Sequence, residues 1–367
     1  MSFPQRFLLK FLFAAVMLLG LPLAGVLIAG FPVDRYLEFP PQSRYVQHAP
    51  FSWPAFFIFV LLIAGSVYPL AAAGVQSYRK SLPTTAASAS LRFPWWGWVG
   101  VTSGAIAWIL AWTRFSWFAA FQPHTFSPLW FSYILVVNAL CWRRSGHSLM
   151  TDRPGFFLLL FPASAAFWWL FEYLNRFVQN WYYTGVQFGP WAYFWYATLP
   201  FSTVLPAVLS TRHYLLGVAW INRCYARTRP IKLSHPVRLA AGCLLLSAAG
   251  LAGIGVWPNY LFPLLWVSPL LILVGLQTLM KDRHSLSQMA AGDWSGAVAA
   301  ALAALVCGGF WEMWNYFSLA KWQYTIPLVD RFQIFEMPLL GYAGYLPFGL
   351  ECVVIGDMLG QRFNGDL

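Results

Sequence analysis

Apolar runs of about twenty residues recur along this sequence, separated by short polar or proline-rich segments. A helix of about 20 apolar residues crosses a hydrocarbon core about 30 Å thick. Hydrophobic residues make up 59% of the 367 positions and charged residues 10%, against about 25% charged in soluble domains. No aqueous fold could bury so much apolar surface. The sequence therefore predicts an all-α, polytopic membrane helix bundle of about ten spans.

The ten predicted spans place most basic residues on one side of the membrane. They cover residues 7–29, 53–74, 96–112, 126–142, 156–171, 191–210, 237–257, 261–280, 297–317 and 339–359. Arg144, Arg283 and Arg362 are among the cations of the inner connectors, and an excess of Lys and Arg marks cytoplasmic segments. The sequence therefore predicts a bacterial inner-membrane protein with both termini in the cytoplasm.

The first span has a second interpretation. Arg6 and Lys10 precede an apolar stretch, as they would in a cleaved secretory signal peptide. The stretch is long for the apolar region of such a peptide, and no clear small-x-small cleavage site precedes Phe31. A retained span is therefore favoured over cleavage.

Charge, cysteine and histidine usage narrow the class of ligand. The net charge of +11 comes from basic residues scattered in short connectors, which does not indicate a nucleic-acid partner. The five cysteines lack C-x-x-C spacing, which favours small core residues over disulfides or zinc ligands. His147 and His284 should be cytoplasmic, far from the acids discussed below. We therefore expect no metal and no cofactor, and membrane lipids as partners; the oligomeric state stays open.

Three motifs return along the chain at nearly constant spacing. Residues 146–149 (GHSL), 171–175 (FEYLN) and 181–184 (WYYT) return as 283–286 (RHSL), 311–315 (WEMWN) and 322–325 (WQYT). The offsets of 137, 140 and 141 residues indicate an internal duplication. Each copy contains four predicted spans, and an even number gives both copies the same orientation. We predict two helices in residues 1–90, a first four-helix repeat in 91–230 and a second, parallel repeat in 231–367.

Glu172 and Glu312 occupy matching positions near the outer ends of their predicted helices, each with an Asn three residues later on the same helix face. Ionisable groups at membrane depth usually face the bundle interior. One interpretation is a pseudo-symmetric polar site opening outward between the repeats; the other is that each Glu braces the loop behind it. The first predicts substrate-binding roles, with the Trp-x-Tyr-Thr segments as turns, for Glu172, Asn175, Asn315, Trp181, Trp322, Tyr183 and Tyr324.

The second half contains acids that its twin lacks. Glu336 precedes a Met-Pro pair, and Glu351 lies inside the last span after Pro347, which breaks a helix and frees backbone carbonyls. These positions predict catalytic roles for Glu312, Glu336 and Glu351. For Glu351 the alternative is a structural acid bonded to the freed backbone groups.

Residues 167–206 and 307–351 share an order of features: an aromatic-flanked acid, a Trp-x-aromatic pair about ten residues later and a proline-containing span. This order, duplicated in tandem, resembles the membrane lycopene-cyclase domain family; the chain also resembles bacterial multi-pass inner-membrane proteins. The first resemblance implies acid-initiated cyclisation of a polyene lipid by carboxylic acids kept protonated in an apolar setting. Where that family has Pro-x-Glu-Glu, this chain has LPFST at 199–203 and PFGLE at 347–351.

These patterns support three hypotheses about function. The leading hypothesis is a lipid-like or isoprenoid molecule bound between the two repeats near the outer leaflet, either simply held or converted by an isoprenoid-modifying enzyme. A transporter or flippase is the first alternative, favoured by parallel repeats and proline-interrupted helices. A membrane scaffold or assembly factor is the second, with the outer loop around Tyr45 contacting a partner.

Overall fold

A computed structural model describes residues 3–80, 91–282 and 284–360 of the chain. Helices account for 72% of the structure, and the strands are few and short, which confirms the all-α class. Arg283 and Arg362, two of the predicted inner cations, lie outside the described residues, as does the end of the predicted first domain. The domain boundaries stay predictions.

The helices follow one another with short connections. The α-helices are α1 Phe3–Ala15, α2 Leu21–Ile28, α3 Asp34–Leu37, α4 Trp53–Lys80, α5 Trp95–Trp112, α6 Phe126–Ser145, α7 Leu149–Asp152, α8 Pro154–Val178, α9 Pro190–Phe201, α10 Val204–Leu216, α11 Ala219–Tyr225, α12 Pro236–Gly253, α13 Pro258–Leu261, α14 Leu264–Leu279, α15 Ser295–Tyr316 and α16 Tyr345–Gly360. A π-helical segment, Val16–Gly20, joins α1 to α2, and 3₁₀ segments occupy Ser116–Phe118, Gln122–His124, Ser285–Ala291 and Leu339–Gly344.

Proline, glycine and serine set several helix limits. Pro154 starts α8, where its missing N–H and fixed φ suit the first helical turn. Gly146 ends α6 with a φ of 75°, and its amide bonds the Trp142 carbonyl at 2.8 Å. Ser148 then caps α7, because its hydroxyl accepts the Thr151 amide at 3.2 Å. The first His-Ser motif of the repeat therefore opens a capped turn.

In the part of the chain that the structure describes, eight helical segments are long and apolar enough to cross a membrane. They are Leu8–Ile28, Trp53–Arg79, Gln122–Ser145, Pro154–Val178, Pro190–Leu216, Pro236–Gly253, Ser295–Tyr316 and Leu339–Gly360. Each corresponds to one of the ten predicted spans, and the remaining two predicted spans correspond to α5 and the shorter α14. The structure thus confirms a chain of multiple membrane-compatible helices.

Small residues bring the central helices into close contact. On α15, Ala300 and Ala304 are fully buried, and both lie against Gly349 of α16. Close backbone approach at small residues is the usual way in which helices associate in a bilayer. By contrast, outer helices expose large apolar side chains: Leu61 of α4 is 71% exposed and Leu245 of α12 is 72% exposed. A chain with such a surface is suited to a lipid environment.

Four short strands form two small sheets. Strand β1, Trp181–Thr184, follows α8 and pairs antiparallel with β2, Lys321–Tyr324, which follows α15. The register places Trp181 opposite Tyr324, and Tyr183 opposite Trp322. The second sheet pairs β3, Gln333–Ile334, with β4, Met337–Pro338. The first sheet joins the two halves of the chain beside the two repeated acids.

Candidate functional site

Glu172 is fully buried near the end of α8 and accepts four hydrogen bonds. Its Oε1 accepts from the Trp168 indole at 3.3 Å, the Trp181 indole at 3.0 Å and the Tyr183 hydroxyl at 2.6 Å, and its Oε2 accepts from Ser43 at 3.1 Å. An indole N–H can only donate, so Glu172 acts as the acceptor in this cluster. The glutamate therefore holds the polar edges of three aromatic rings in place.

Glu312 repeats this arrangement in the second half with fewer donors. It is fully buried on α15, and its Oε1 accepts from the hydroxyls of Tyr324 and Tyr345, both at 2.7 Å. The indole of Trp322 donates to the Tyr324 hydroxyl at 2.8 Å, which extends the chain of hydrogen bonds. Glu312 Oε2 is buried and has no hydrogen-bond partner among the described residues.

The two asparagines attach the strands to the helices. Asn175 accepts the Asn180 amide at 2.8 Å and donates to the Trp181 carbonyl at 2.8 Å. Asn315 accepts the Trp322 amide at 2.9 Å and donates to the Trp322 carbonyl at 2.8 Å. Each Glu-x-x-Asn face thus fixes the strand that follows its helix.

The sequence predicted that the two Trp-x-Tyr-Thr segments are turns. The structure instead places most of their residues in two paired strands, Trp181–Thr184 and Lys321–Tyr324. Four-residue strands give a weak local signal, and their pairing partner lies in the other half of the chain. The ladder exists because the Asn side chains hold both segments extended at the same edge of the bundle. Trp181 and Tyr324 therefore lie opposite each other in one sheet rather than in separate loops.

A cavity of about 500 Å³ lies between the halves and is lined mainly by aromatic side chains. Its aromatic lining consists of Phe126, Trp168, Trp181, Tyr183, Phe188, Tyr193, Tyr196, Phe201, Trp266, Trp311, Trp322, Tyr324 and Tyr345. Within the described chain, neither Glu172 nor Glu312 is part of the lining. The acids stand one layer behind the cavity, because the tyrosines bonded to them form its wall.

A second cavity of about 200 Å³ adjoins the same wall on the side of α4. The rings of Trp181, Trp266, Tyr324 and Tyr345 line both cavities. The remaining lining of the smaller cavity is chiefly apolar and includes Phe59 of α4 and Phe262. One layer of aromatic rings therefore separates an aromatic cavity from an apolar one.

The structure does not bring the three predicted catalytic acids together. Glu336 pairs with Lys321 at 2.5 Å, and Lys321 lines the larger cavity. Glu351 is fully buried in α16, and its carboxylate oxygens have no hydrogen-bond partner among the described residues. No bond from Glu351 to the backbone around Pro347 is present in that part of the chain either. Among the described residues, Glu312 bonds two aromatic side chains of the cavity wall, and Glu336 bonds its lysine.

Several wall residues were not identified from the sequence. Ser43, Trp168 and Tyr345 bond the two acids directly, while Trp266 and Trp311 complete the lining. Trp168 lies four residues before Glu172, so helical spacing could have indicated it. Ser43 lies in an extended segment far from the repeats, and no sequence pattern marks it.

Burial and the nearby acids also change the acidity of the strand tyrosines. Burial, reinforced by the charge of Glu172, raises the pKa of Tyr183 well above its ordinary value of 10. Burial and Glu312 raise the pKa of Tyr324 in the same direction. Both phenols therefore remain protonated donors throughout the physiological range.

The histidines and cysteines are residue types that often bind metal ions. His147 contacts Asp152 at 2.9 Å in an exposed turn, away from the cavity lining. All five cysteines are free thiols, and four of them are buried. Among the described residues no group of three or more His, Cys, Asp or Glu side chains is placed to hold a metal ion.

No protein-family model, curated protein or solved structure matches this chain. The function is therefore inferred from the aromatic cavity and from the two acids behind its wall.

Proposed function

We propose that this protein binds a lipid-like molecule in the aromatic cavity between its two halves, near the outer leaflet of the bacterial inner membrane. The observation that carries the proposal is the 500 Å³ aromatic cavity, whose wall is fixed by two buried acids. A volume in this range suits a small organic ligand or one end of a lipid. Membrane-compatible helices contribute to the cavity lining, among them those that contain Trp168, Tyr196 and Trp311.

The adjoining apolar cavity supports an amphiphilic ligand in particular. It lies beneath α4, a helix whose outer surface is largely exposed and suited to lipid contact. A hydrocarbon chain fits the apolar lining of the smaller cavity, while a more polar end fits the larger one. An isoprenoid or an acyl lipid meets this description.

The architecture we propose is the one predicted from the sequence: ten spans, with two tandem parallel repeats after two initial helices and both termini cytoplasmic. The strand register supports the repeats. Exchanging the copies turns the Trp181–Tyr324 pair into the Trp322–Tyr183 pair, and both pairs are present in the ladder. Such exchange is expected when a twofold axis relates the copies. Reporter fusions after each connector would test the orientation.

Binding is a better fit to the site than acid catalysis. Glu172 already accepts four hydrogen bonds, so it is poorly arranged to donate a proton to a ligand. Glu336 is engaged by Lys321, and the cavity wall shields Glu312. The cyclase chemistry implied by the lycopene-cyclase resemblance would need an acid facing the ligand.

Native mass spectrometry of the full chain, purified in a maltoside detergent, tests the proposal. We expect a co-purified lipid on the wild-type protein. Ala197 lines the cavity, so Ala197→Phe should fill part of it and expel the lipid without creating a void. Ala192→Phe is the matched control, because Ala192 is exposed on the same helix. Lipid-free wild-type protein, or equal lipid occupancy in the two variants, would refute the proposal.

Lipid transport is a second candidate, favoured by helix breaks at the cavity. Helix α9 ends at Phe201 and α10 begins at Val204, and both residues line the cavity. Ser164 satisfies the interrupted backbone, since its hydroxyl donates to the Phe201 carbonyl at 2.6 Å and accepts the Leu205 amide at 3.0 Å. Discontinuous helices at a central site are common in transporters.

Reconstituted vesicles with a fluorescent lipid in one leaflet would test transport. We expect faster exchange between leaflets with the wild-type protein than with Ala197→Phe. Exchange no faster than in protein-free vesicles would leave lipid binding as the better description.

A further inference from the structure

Five of the aromatic rings that line the larger cavity bond the two buried acids through their polar edges. Tyr183 donates to Glu172 at 2.6 Å, and Tyr324 and Tyr345 each donate to Glu312 at 2.7 Å. Since these hydroxyls are already bonded behind the wall, the rings offer mainly carbon surface to the cavity. The π system of such a ring attracts a cation within about 6 Å of its centre.

The charges around the cavity are only partly balanced. Lys321 lines the cavity, but Glu336 lies 2.5 Å from its ammonium and compensates it. Arg176 follows Glu172 by about one helical turn and is also buried, but its guanidinium donates to the backbone carbonyls of Arg35 and Glu38.

Glu312 differs from Glu172 in its hydrogen bonds. Within the described residues neither acid forms an ion pair. The Oε2 of Glu312 is buried without a hydrogen-bond partner there, whereas the matching oxygen of Glu172 accepts from Ser43. A buried carboxylate with only two donors is costly unless it takes up a proton or a positive charge lies nearby. The second half of the site thus favours a cationic neighbour.

We propose that the larger cavity takes the headgroup of a lipid carrying a quaternary ammonium, surrounded by aromatic rings and attracted by Glu312. This inference rests on the proposed lipid binding and names the class of ligand. A quaternary ammonium has no N–H to donate, so a wall of ring carbon with the carboxylate one layer behind it suits such a group better than a primary amine. The apolar cavity beside it would hold the start of the hydrocarbon chain.

Two probes of equal shape, one charged and one neutral, distinguish the effect of ligand charge from the effect of ligand size. One is a long-chain alkyltrimethylammonium, and the other is its neutral analogue ending in a tert-butyl group. Binding to the full chain in maltoside micelles is followed by quenching of tryptophan fluorescence. We expect the cation to bind about tenfold more tightly than the neutral probe. Tetramethylammonium without a chain should bind far more weakly, which would identify a lipid rather than a free cation as the ligand.

Substitutions of single acids then test which carboxylate attracts the cationic probe. Glu312→Gln keeps an acceptor for Tyr324 and Tyr345, and it should reduce the preference for the cation to about twofold or less. Glu172→Gln should have a smaller effect, because four donors already satisfy both oxygens of that carboxylate. Glu38→Gln is the matched control; its side chain is 43% exposed and pairs with Arg44. The control should keep the wild-type preference.

Equal affinity for the two probes in the wild-type protein would overturn the inference and leave neutral-lipid binding intact. Tighter binding of an anionic phosphatidylglycerol, or binding of neither probe, would also overturn it. The wild-type comparison decides the matter even where Glu312→Gln fails to fold. Loss of the proposed function itself would appear separately, as lipid-free protein in the native mass spectrum.

Discussion

Trp181 and Tyr324 face each other across an antiparallel ladder, although one belongs to each half of the chain. Each is also fixed from behind: the Trp181 indole donates to Glu172 at 3.0 Å, and the Tyr324 hydroxyl donates to Glu312 at 2.7 Å. The same two rings line both cavities. The ladder therefore couples the packing of the two halves to the shape of the proposed lipid site.

Replacing either strand-fixing asparagine should destabilise the protein. Asn175→Ala and Asn315→Ala each remove a side chain that bonds both an amide and a carbonyl of the strand region. Leaving buried backbone groups unpaired costs about 1–3 kcal/mol each, so the thermal unfolding midpoint should fall clearly. Asn222→Ala, which removes one bond in an exposed region, should change it little. Equal midpoints for all three variants would contradict the role assigned to the asparagines.

Alkaline pH should weaken the folded state through the strand tyrosines. Burial raises the pKa of Tyr183 and Tyr324 in the folded protein, whereas unfolded tyrosine ionises near pH 10. Stability is thus complete below about pH 10 and declines above it, because only the unfolded state readily loses the protons. The double variant Tyr183→Phe, Tyr324→Phe should show a shallower decline in unfolding midpoint from pH 9 to about pH 11. An unchanged slope would show that other groups control alkaline stability.

A methyl group at Gly349 should push two central helices apart. A Cβ at this position would overlap the Ala300 carbonyl of α15, and backbone cannot yield as a flexible side chain does. Gly349→Ala should therefore cost about 1–3 kcal/mol or more and lower the yield of folded protein on size-exclusion chromatography. A Cβ at Gly309 of α15 meets nothing within 4 Å, so Gly309→Ala should be neutral or slightly stabilising.

The first helix should remain part of the mature protein. Lys10 is 3% exposed and forms an ion pair of 2.7 Å with Asp282, just beyond α14. A cleaved signal peptide would have no reason to make a buried contact with the second half of the chain. The intact mass of protein purified from membranes should include residues 1–30, and Lys10→Met should lower the unfolding midpoint by removing the ion pair. A mature N-terminus near residue 30 would restore the signal-peptide interpretation.

The sequence predicted most of the helices, because these depend on local patterns. Long apolar runs place most of the helices, and the matched spacing of Glu172 and Glu312 places both on buried helix faces. The strand ladder could not be predicted in this way, since it depends on contacts between distant segments. Ser43 could not be predicted for the same reason, because it is far from Glu172 in the sequence and contacts it only in the folded chain.

The catalytic roles predicted for individual acids stay predictions. In the sequence, the three acids are hard to distinguish, since each is a repeated or additional acid of the second half: Glu312, Glu336 and Glu351. Their environments separate them: Glu336 has a basic partner, Glu312 has two phenol donors, and Glu351 is buried without a hydrogen-bond partner among the described residues. Partners of this kind are invisible in a single sequence, because they come from other helices.

Exchanging the two proposed copies maps the Tyr182–Gln323 pair of the ladder onto itself. If the proposed repeats arose by duplication, an ancestral half with this strand would have met an identical molecule along the same edge. The present chain would then correspond to a fused dimer, free to change each side independently. Lys321 and Glu336 in one half, and Arg176 in the other, are the kind of unequal residues that such freedom allows.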